Sequence, residues 1–226
     1  MEYEGSLADG TRILFRPIRP DDKERIRRGF ELLSPASRYR RFFSSIDHLS
    51  EDDLRYLTEV DFEDHFAWLA VFPDDPSLPG AGVARWIRIA GEPAVAEGAV
   101  TVIDSFQHQG IGSTLLWLAA RSAIERGVRA FRVWVQGENV PVLKMLHEAG
   151  VVPRVWEAGI AEVDIPLPRS ADALDGTPAP LVLRATATGR SVGRGGGATH
   201  HSTTIGDGSD EVAEASVDRD GGGKRP

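Results

Sequence analysis

The 226-residue chain contains no cysteine, no long apolar run and no aromatic residue after Trp156. The absence of cysteine excludes disulfide bonds, thiolate metal sites and cysteine nucleophiles. No apolar stretch approaches the roughly 20 residues that a membrane-spanning helix needs. The acidic N-terminal segment MEYEGSLADGTR lacks the apolar region of a signal peptide. We therefore expect a cytoplasmic protein that does not interact with a membrane.

The charge balance argues against a nucleic-acid partner. The formal net charge is −8, whereas a general nucleic-acid binder needs an excess of basic side chains to neutralise phosphates. The apolar and charged fractions, 41% and 27%, are those of an ordinary globular protein. Composition therefore predicts a folded protein that does not bind nucleic acid, and it leaves the chemistry open.

The C-terminal part of the chain lacks the apolar periodicity of a folded segment. Periodic sequence ends near Leu167, and the rest is rich in glycine, serine and aspartate, which bury too little apolar surface to offset chain entropy. We expect one domain over residues 1–168 and a disordered tail over residues 169–226, with one extended piece at residues 181–183. The pair His200-His201 has no further ligand at regular spacing, so no metal site is expected.

Hydrophobic periodicity and capping residues predict a single mixed α/β (α+β) domain for the folded part. Strands and helices follow one another in the order β-α-α-α-β-β-β-α-β-α-β-β, and the three central strands form an antiparallel meander. The predicted elements are a strand at residues 12–16, helices beginning at Asp21, Ser34 and Ser50, strands at residues 65–72, 81–89 and 95–103, a helix at residues 112–126, a strand at residues 130–136, a helix from Asn139 to Gly150 and a hairpin within residues 151–165.

The segment from Glu97 to Gly112, EGAVTVIDSFQHQGIG, has the pattern of an anion-binding site. A β-rich run from Ala99 to Ile103 passes through a polar turn, meets Gly110 and Gly112, and continues directly as a helix. The free backbone N–H groups and the helix dipole at such a junction bind phosphate, and glycine keeps Cβ atoms away from the anion. Since the carboxylate of Glu97 lies upstream, one segment could carry both a cofactor site and a catalytic base.

Over residues 11–166 the chain resembles the GCN5-related N-acetyltransferases. The run from Gln107 to Gly112 matches their Q/R-x-x-G-x-G/A motif for the acyl-CoA pyrophosphate, and Asn139 and Gly150 match the unit that follows. The resemblance implies a mixed, mostly antiparallel central sheet flanked by helices. It also implies acetyl-CoA as co-substrate, without a metal, and transfer of the acetyl group to an amine.

The same resemblance assigns the functional residues. It makes Glu97 the general base that removes a proton from the acceptor amine. Gln107 and His108 are expected to act mainly through their main-chain groups. The cofactor is implied to lie along the strand and over the glycine loop, in contact with Ala99, Val100, Thr101, Val102, Gln107, His108, Gln109, Gly110, Ile111, Gly112, Ser113 and Asn139.

A narrower resemblance is to the protein lysine acetyltransferases of bacteria. It rests on the segments LFRPIRPDD, LSPASRYRRFF, YLTEVDFEDHFAW and AVAEGAVTVIDSFQHQGIGS. It implies transfer to the ε-amine of a lysine in a protein acceptor. Leu146 departs from the tyrosine with which many family members protonate the departing CoA thiolate. Leucine cannot act as an acid, but a CoA thiol is acidic enough to leave as the thiolate.

Two other functions remain open, namely an acetyltransferase for a small amine or antibiotic and an acyl-CoA-binding sensor without turnover. Individual residues also have purely structural interpretations. Glu97 could be the solvent-facing residue of a strand, the two glycines a tight turn, and Asn139 only a helix N-cap. The acidic run at residues 61–65 could be a solvated loop or a rim that attracts a cationic acceptor.

The helix that begins at Ser34 is predicted to divide into an apolar and a basic face. Tyr39, Phe42 and Phe43 are expected to face the core, and Arg38, Arg40 and Arg41 the solvent. These arginines could instead contact the acidic phosphate end of CoA or an acidic protein surface. In the helix over residues 112–126, the expected core positions are Leu115, Leu116, Ala119, Ala120 and Ala123.

Overall fold

A computed structural model describes residues 1–44, 46–174 and 184–186 of the chain. Within these residues nine strands form one sheet: β1 (Glu2–Ser6), β2 (Arg12–Pro17), β3 (His65–Val71), β4 (Gly82–Ile89), β5 (Glu92–Val102), β6 (Ala130–Gln136), β7 (Val155–Glu157), β8 (Ile160–Pro166) and β9 (Arg184–Thr186). Their order across the sheet is β7-β8-β6-β5-β4-β3-β2-β1-β9. The predicted mixed sheet and its antiparallel β3-β4-β5 meander are confirmed.

The pair β5–β6 is parallel, whereas the other neighbouring strands of the described sheet are antiparallel. Its register runs from Val95↔Ala130 to Glu97↔Arg132 and then stops. Strand β5 continues to Val102 and β6 to Gln136. The sheet therefore has an opening between the carboxyl-terminal halves of these two strands, which is the edge where ligands bind in α/β sheets with parallel strands.

Helices cover both faces of the central strands. They are α1 (Lys23–Glu31), α2 (Pro35–Phe42), α3 (Glu51–Thr58), α4 (Ile111–Glu125) and α5 (Val140–Glu148). Leu115 and Leu118 of α4 share one apolar cluster with Phe15 and Trp86 of the sheet. Helices α1–α3 pack on the opposite face through a second cluster that includes Ile103. In the described part of the chain, none of these helices is long and apolar enough to cross a membrane.

This two-sided cover explains why β3 is apolar along almost its whole length. Trp68 and Ala70 belong to the cluster on the α4 side, whereas Leu69 and Val71 belong to a cluster with Ile26 of α1 on the other side. A strand buried on both faces loses the alternation of apolar and polar residues. The continuous run HFAWLAV is therefore what a central strand requires.

No strand was predicted before residue 12, but β1 precedes that residue and pairs with β2. In EYEGS only Tyr3 is large and apolar, so the segment carries little strand signal. Its glutamates are used in ion pairs instead: Glu4 contacts Arg12 at 3.2 Å and Glu2 contacts Arg19 at 2.6 Å. A charged pair between strands, such as Glu4–Arg12, stabilises their pairing without an apolar pattern.

The predicted tail also needs a correction at its start. Residues Ala171–Leu174 form a 3₁₀ turn, in which Leu174 is buried and its carbonyl accepts a hydrogen bond from Trp117 Nε1 at 3.2 Å. Strand β9 pairs antiparallel with β1. A strand added through backbone bonds leaves little trace in composition. Residues 181–183, the pair His200-His201 and the rest of the predicted tail lie outside the described residues.

Two predicted core positions are exposed. Leu116 and Tyr39 face outward, and Leu118, which was not predicted, is buried in α4. Both positions were assigned to the wrong face of their helix. With 3.6 residues per turn, an error of one or two positions moves a side chain to the other face.

Candidate active site

Strand β5 carries the predicted site residues on two faces. A Cβ on Gly98 would contact the ring of Phe131, and one on Gly112 would lie 3.3 Å from Val102 Cγ2, so Gly98 and Val102 face the α4 side. Ala99 and Thr101 line a cavity on the opposite side, beneath α1–α3. Glu97 has the parity of Ala99 and Thr101, and therefore points to the same side.

The register of β5 against β4 shows that no bulge re-aims Glu97. Glu97 lies opposite Ile87, and the pairing stays regular from there to Val102. The irregularity in this ladder lies earlier, where Ile89 pairs with Glu92. The side chain of Glu97 is exposed, and it makes no hydrogen bond or ion pair with another described residue. A carboxylate placed in this way is accessible to an incoming amine.

The loop between β5 and α4 leaves several backbone amides unsatisfied. His108 and Gly110 both have left-handed backbone angles, with φ of 61° and 82°, and glycine adopts such an angle without strain. No side chain caps the N-terminus of α4. The N–H groups of Ile111, Gly112 and Ser113 consequently have no intrahelical acceptor. Three free amides at a helix N-terminus have the arrangement that anion-binding sites use, and binding at this loop stays a prediction.

Two glutamine side chains hold this loop in place. Gln107 Nε2 donates to the carbonyl of Val102 at 3.1 Å, and Gln109 Nε2 donates to the carbonyl of Ser105 at 3.3 Å. These bonds occupy the side-chain amides within the protein, so the loop presents main-chain groups to a ligand. At Gly112 the close approach of α4 to Val102 adds a packing reason for glycine.

Helix α5 begins at the same edge of the sheet as α4, because each follows one of the two parallel strands. Asn139 occupies its N-cap position and accepts backbone hydrogen bonds from Val142 and Leu143 at its carbonyl. The predicted N-cap position of Asn139 is thereby confirmed, although its side chain makes no capping hydrogen bond. The side-chain amide stays available beside the opening.

A cluster of aromatic and basic side chains lies on the Glu97 side of the sheet. Arg85, directly opposite Ala99, is 5% exposed and donates from Nη2 to the carbonyl of Leu57 at 3.0 Å. Its Nη1 lies 2.9 Å from His65 Nε2. Burial, followed by the charge of Arg85, lowers the pKa of His65 to about 3. The imidazole is therefore neutral, and Nε2 accepts the hydrogen bond from Arg85.

The charges in this cluster act on one another. Burial and then the charge of Arg41 lower the pKa of Arg85 to about 9, while Tyr56 and Glu97 act in the opposite direction. Burial raises the pKa of Tyr56, whose ring lies 5.2 Å from that of His65. At neutral pH the guanidinium groups of Arg41 and Arg85 are cationic, and both interact electrostatically with the carboxylate of Glu97.

Arg41 reaches this cluster from α2, although its sequence position predicted a solvent-facing side chain. It is half-buried and lines the same cavity as Arg85. The helix is fixed at its other end by Asp104, which accepts hydrogen bonds from Ser34 N at 3.0 Å and from Ser37 Oγ at 2.9 Å. This tether is long-range in sequence, so the periodicity of a short helix gives no signal for the direction of Arg41.

The acidic run at residues 61–65 has a structural role. One oxygen of Asp61 accepts the backbone N–H groups of Glu63, Asp64 and His65 at 2.8 to 2.9 Å. Asp64 in turn pairs with Arg88 at 2.6 Å. With two of its carboxylates engaged in this way, the run is an ordered turn rather than a free acidic rim.

Leu146 is buried in an apolar cluster with Val135, Ala161 and Val163. It therefore neither faces the opening nor could supply a proton. Within residues 1–44 and 46–174, no three histidine or acidic side chains come together in a way that could hold a metal ion.

The profile of the acetyltransferase (GNAT) family matches residues 28–151. The chain belongs to this family. It is 35% identical over 159 residues to acetyltransferase Pat of Mycolicibacterium smegmatis, a match that covers 70% of this chain and 47% of that protein. It is 30% identical over 113 residues to the putative phosphinothricin acetyltransferase YwnH of Bacillus subtilis, covering 45% of this chain and 69% of that one.

A solved structure supports the assignment of the chain to this family. The GNAT domain of PAT from S. lividans is 33% identical, superposes with a TM-score of 0.65, and is matched over 74% of this chain and 97% of its own length. The GNAT-type fold predicted from the sequence is thereby confirmed. The chain spans about half the length of the M. smegmatis relative.

Proposed function

We propose that the protein transfers an acetyl group from acetyl-CoA to the ε-amine of a lysine in a protein acceptor. The observation that carries this proposal is the geometry of β5, which presents the unpaired carboxylate of Glu97 at one end and leads into the amide-rich loop at the other. Similarity to the M. smegmatis and S. lividans acetyltransferases, both named Pat, supports the lysine of a protein as the acceptor. The cytoplasmic location and the lack of a nucleic-acid partner stay predictions.

The residues of the opening suit acetyl-CoA. The amides of Ile111, Gly112 and Ser113 would hold its pyrophosphate, while the rest of the 107–113 loop surrounds it. The edge of β5 over residues 99–102, which lacks a β6 partner, would hold the extended pantetheine arm through its backbone. The side chain of Asn139 faces this arm in the proposal. Thr101 contributes its backbone here, because its side chain faces the cavity beneath α1–α3. When bound, acetyl-CoA supplies the activated acetyl thioester.

The chemistry that the protein itself must supply is removal of a proton. A lysine ammonium has an ordinary pKa near 10.4, so presenting the free amine at neutral pH costs roughly 4–5 kcal/mol. Glu97 accepts this proton, directly or through a water, as the amine nitrogen attacks. No side chain at position 146 donates a proton to the leaving thiolate, and none is required because the thiol is a sufficiently strong acid.

Release of free CoA thiol in the presence of protein lysines tests the proposal. Glu97→Gln is expected to lower kcat about 10²- to 10⁴-fold, the usual contribution of a general base, and to leave the affinity for acetyl-CoA unchanged. Glu63→Gln, at an exposed glutamate of the 61–65 turn, is the control and should keep wild-type turnover. Equal rates for Glu97→Gln and wild type would remove Glu97 as the base.

The loop has its own test in two matched glycine substitutions. Gly110 and Gly127 both have a φ of 82°, and they flank opposite ends of the 15-residue helix α4. Alanine at either position costs about 1–2 kcal/mol of stability, because the left-handed angle strains its Cβ. Only Gly110→Ala is expected to weaken acetyl-CoA binding, by about tenfold, since the loss of one hydrogen bond to a charged group costs roughly 1.5–3 kcal/mol.

Calorimetric titration with acetyl-CoA measures this difference, with the melting temperature as a check on stability. Equal affinities for the two variants would show that the loop does not bind the pyrophosphate.

A second candidate is an acetyltransferase for a small amine, which the similarity to the B. subtilis protein favours. The thiol-release assay separates the two, since turnover with free amines but not with protein lysines would select it. Binding of acetyl-CoA without thiol release to any acceptor would instead indicate a sensor.

A further inference from the structure

Arginines on the central strands are neutralised by carboxylates, with Arg85 as the exception within the described residues. Each such pair satisfies a buried or half-buried guanidinium with an ion of opposite charge, which is the usual condition for taking a charge out of water. The pairs are Arg16–Asp22 at 2.6 Å, Arg88–Asp64 at 2.6 Å and Arg132–Asp164 at 2.8 Å.

Arg85 and Arg41 have no such partner. In the part of the chain that the structure describes, no carboxylate lies within 4.0 Å of either guanidinium. Arg85 uses two of its nitrogens, on the Leu57 carbonyl and His65, and Arg41 contacts only the face of the Phe42 ring at 5.0 Å. Both therefore retain N–H donors without an acceptor.

The two guanidinium groups line one cavity together with Ala99 and Thr101, which we call the arginine cavity. Its volume of about 70 Å³ is that of about two liquid water molecules, enough for a carboxylate. Apart from Arg25, which is held by Asp22 at 3.7 Å and by the Leu78 carbonyl, the remaining lining is mostly apolar.

We propose that the arginine cavity binds a carboxylate of the acceptor, which pairs with Arg41 and Arg85 while the acceptor amine faces Glu97. This inference rests on the proposed function and specifies its substrate class. The carboxylate could belong to an acidic residue beside the acceptor lysine in a protein, or to the acceptor itself if that is an amino acid.

The charge balance at the site supports this pairing. Two cations facing one carboxylate repel an incoming ammonium group, and an anion in the cavity removes that repulsion. The planar guanidinium presents paired N–H donors that match a carboxylate. Because the acceptor supplies the anion, Glu97 is not drawn into an ion pair and keeps its capacity to accept a proton.

The test compares acceptors that differ by one charge. One pair consists of lysine peptides with glutamate or glutamine next to the lysine, and the other of free lysine and lysinamide. The wild-type protein is expected to show about a tenfold higher kcat/KM for the anionic member of one pair or both. Preference within the peptide pair alone identifies a neighbouring acidic residue as the source, and preference within the amino-acid pair alone identifies the acceptor's own carboxylate.

Two substitutions on α2 assign that preference to the cavity. Arg41→Gln is expected to bring the ratio of anionic to neutral acceptor close to one, and Arg41→Lys to retain part of it. Arg40→Gln, at the exposed neighbouring position, should keep the wild-type ratio. The melting temperature of each variant confirms that it is folded.

A wild-type ratio near one for both pairs would overturn the inference, as would a full preference in Arg41→Gln. If thiol release depends on Glu97 while the ratio is one, the proposed function stands and only the arginine cavity fails. If no acceptor is turned over, the ratio of dissociation constants for the same peptides, measured by calorimetry with CoA bound, still decides the question.

Discussion

Arg132 and Arg85 lie on neighbouring parts of one sheet and are almost equally buried, at 8% and 5% exposure, yet their surroundings are opposite. Arg132 donates to Asp164 from Nε at 2.8 Å and to Glu92 from Nη1 at 2.8 Å. Its hydrogen bonds to Asp164 and then to Glu92 raise its pKa. Burial, by contrast, lowers the pKa of Arg85 to about 9. The partners of an arginine, rather than its burial, therefore decide whether its charge is satisfied.

The two arginines therefore have different roles. Arg132 on β6 joins Glu92 on β5 to Asp164 on β8, and it does so where the short β5–β6 ladder ends. This Arg132 cluster thus fastens three strands together at the base of the opening. The arginine cavity lies farther along the same face, between α1–α3 and strands β4 and β5. Within the described residues, Arg41 and Arg85 join no other element through an ion pair, which is the state expected of a site that receives a charge from outside.

The largest effect that separates the two regions is on stability. Arg132→Met is expected to lower the free energy of unfolding by about 2–3 kcal/mol, because it leaves partly buried carboxylates without their cation. Arg85→Met is expected to change it by less than about 1 kcal/mol, because an apolar side chain replaces a buried, unneutralised charge. Urea unfolding monitored by tryptophan fluorescence measures both.

Arg55→Met is the control for the loss of an exposed arginine, since Arg55 forms an exposed pair with Asp52 at 2.8 Å. A loss in Arg85→Met as large as that in Arg132→Met would show that Arg85 is held for the fold. Arg85 would then have the same structural role as Arg132, and not a role in binding.

The parts of the site that are local in sequence could be predicted, and the parts assembled across the fold could not. Glu97 and the loop to Gly112 lie within one strand-loop-helix unit, whose residue pattern fixes its conformation. The role of Arg41 depends on how Asp104 tethers α2, and the role of Arg85 depends on which carboxylates the fold leaves out of reach. Neither fact has a pattern along the chain.

Strands β1 and β9 were not predicted from the sequence, for a related reason. The core strands were predictable because burial on one or both faces imposes a pattern. Strands β1 and β9 lie at one end of the sheet, where Tyr3 of β1 joins the apolar core and backbone hydrogen bonds and the ion pairs of Glu2 and Glu4 supply further contacts. Edge elements therefore carry little of the signal on which hydrophobic periodicity depends.

A smaller expected effect is on the pH dependence of stability, because the unneutralised Arg85 acts on His65. The pKa of His65 is lowered to about 3 by burial, Arg85 and Arg41, against the opposing charge of Asp61, whereas the unfolded chain keeps the ordinary value near 6.5. Between pH 3 and 6.5 the unfolded state binds more protons, so stability falls as pH falls. From pH 6.5 to 5 the loss is expected to be about 1 kcal/mol, less than the full linkage value because the ring is partly exposed.

His65→Gln, which still accepts a hydrogen bond from Arg85, should flatten this dependence of stability on pH in urea unfolding, and Arg85→Met should reduce it. His48→Gln, at an exposed position, should leave it unchanged. If stability still falls with pH in His65→Gln, titration of His65 is not the cause of that fall. The charges of Arg41 and Arg85 would then act on this imidazole less strongly than their burial indicates.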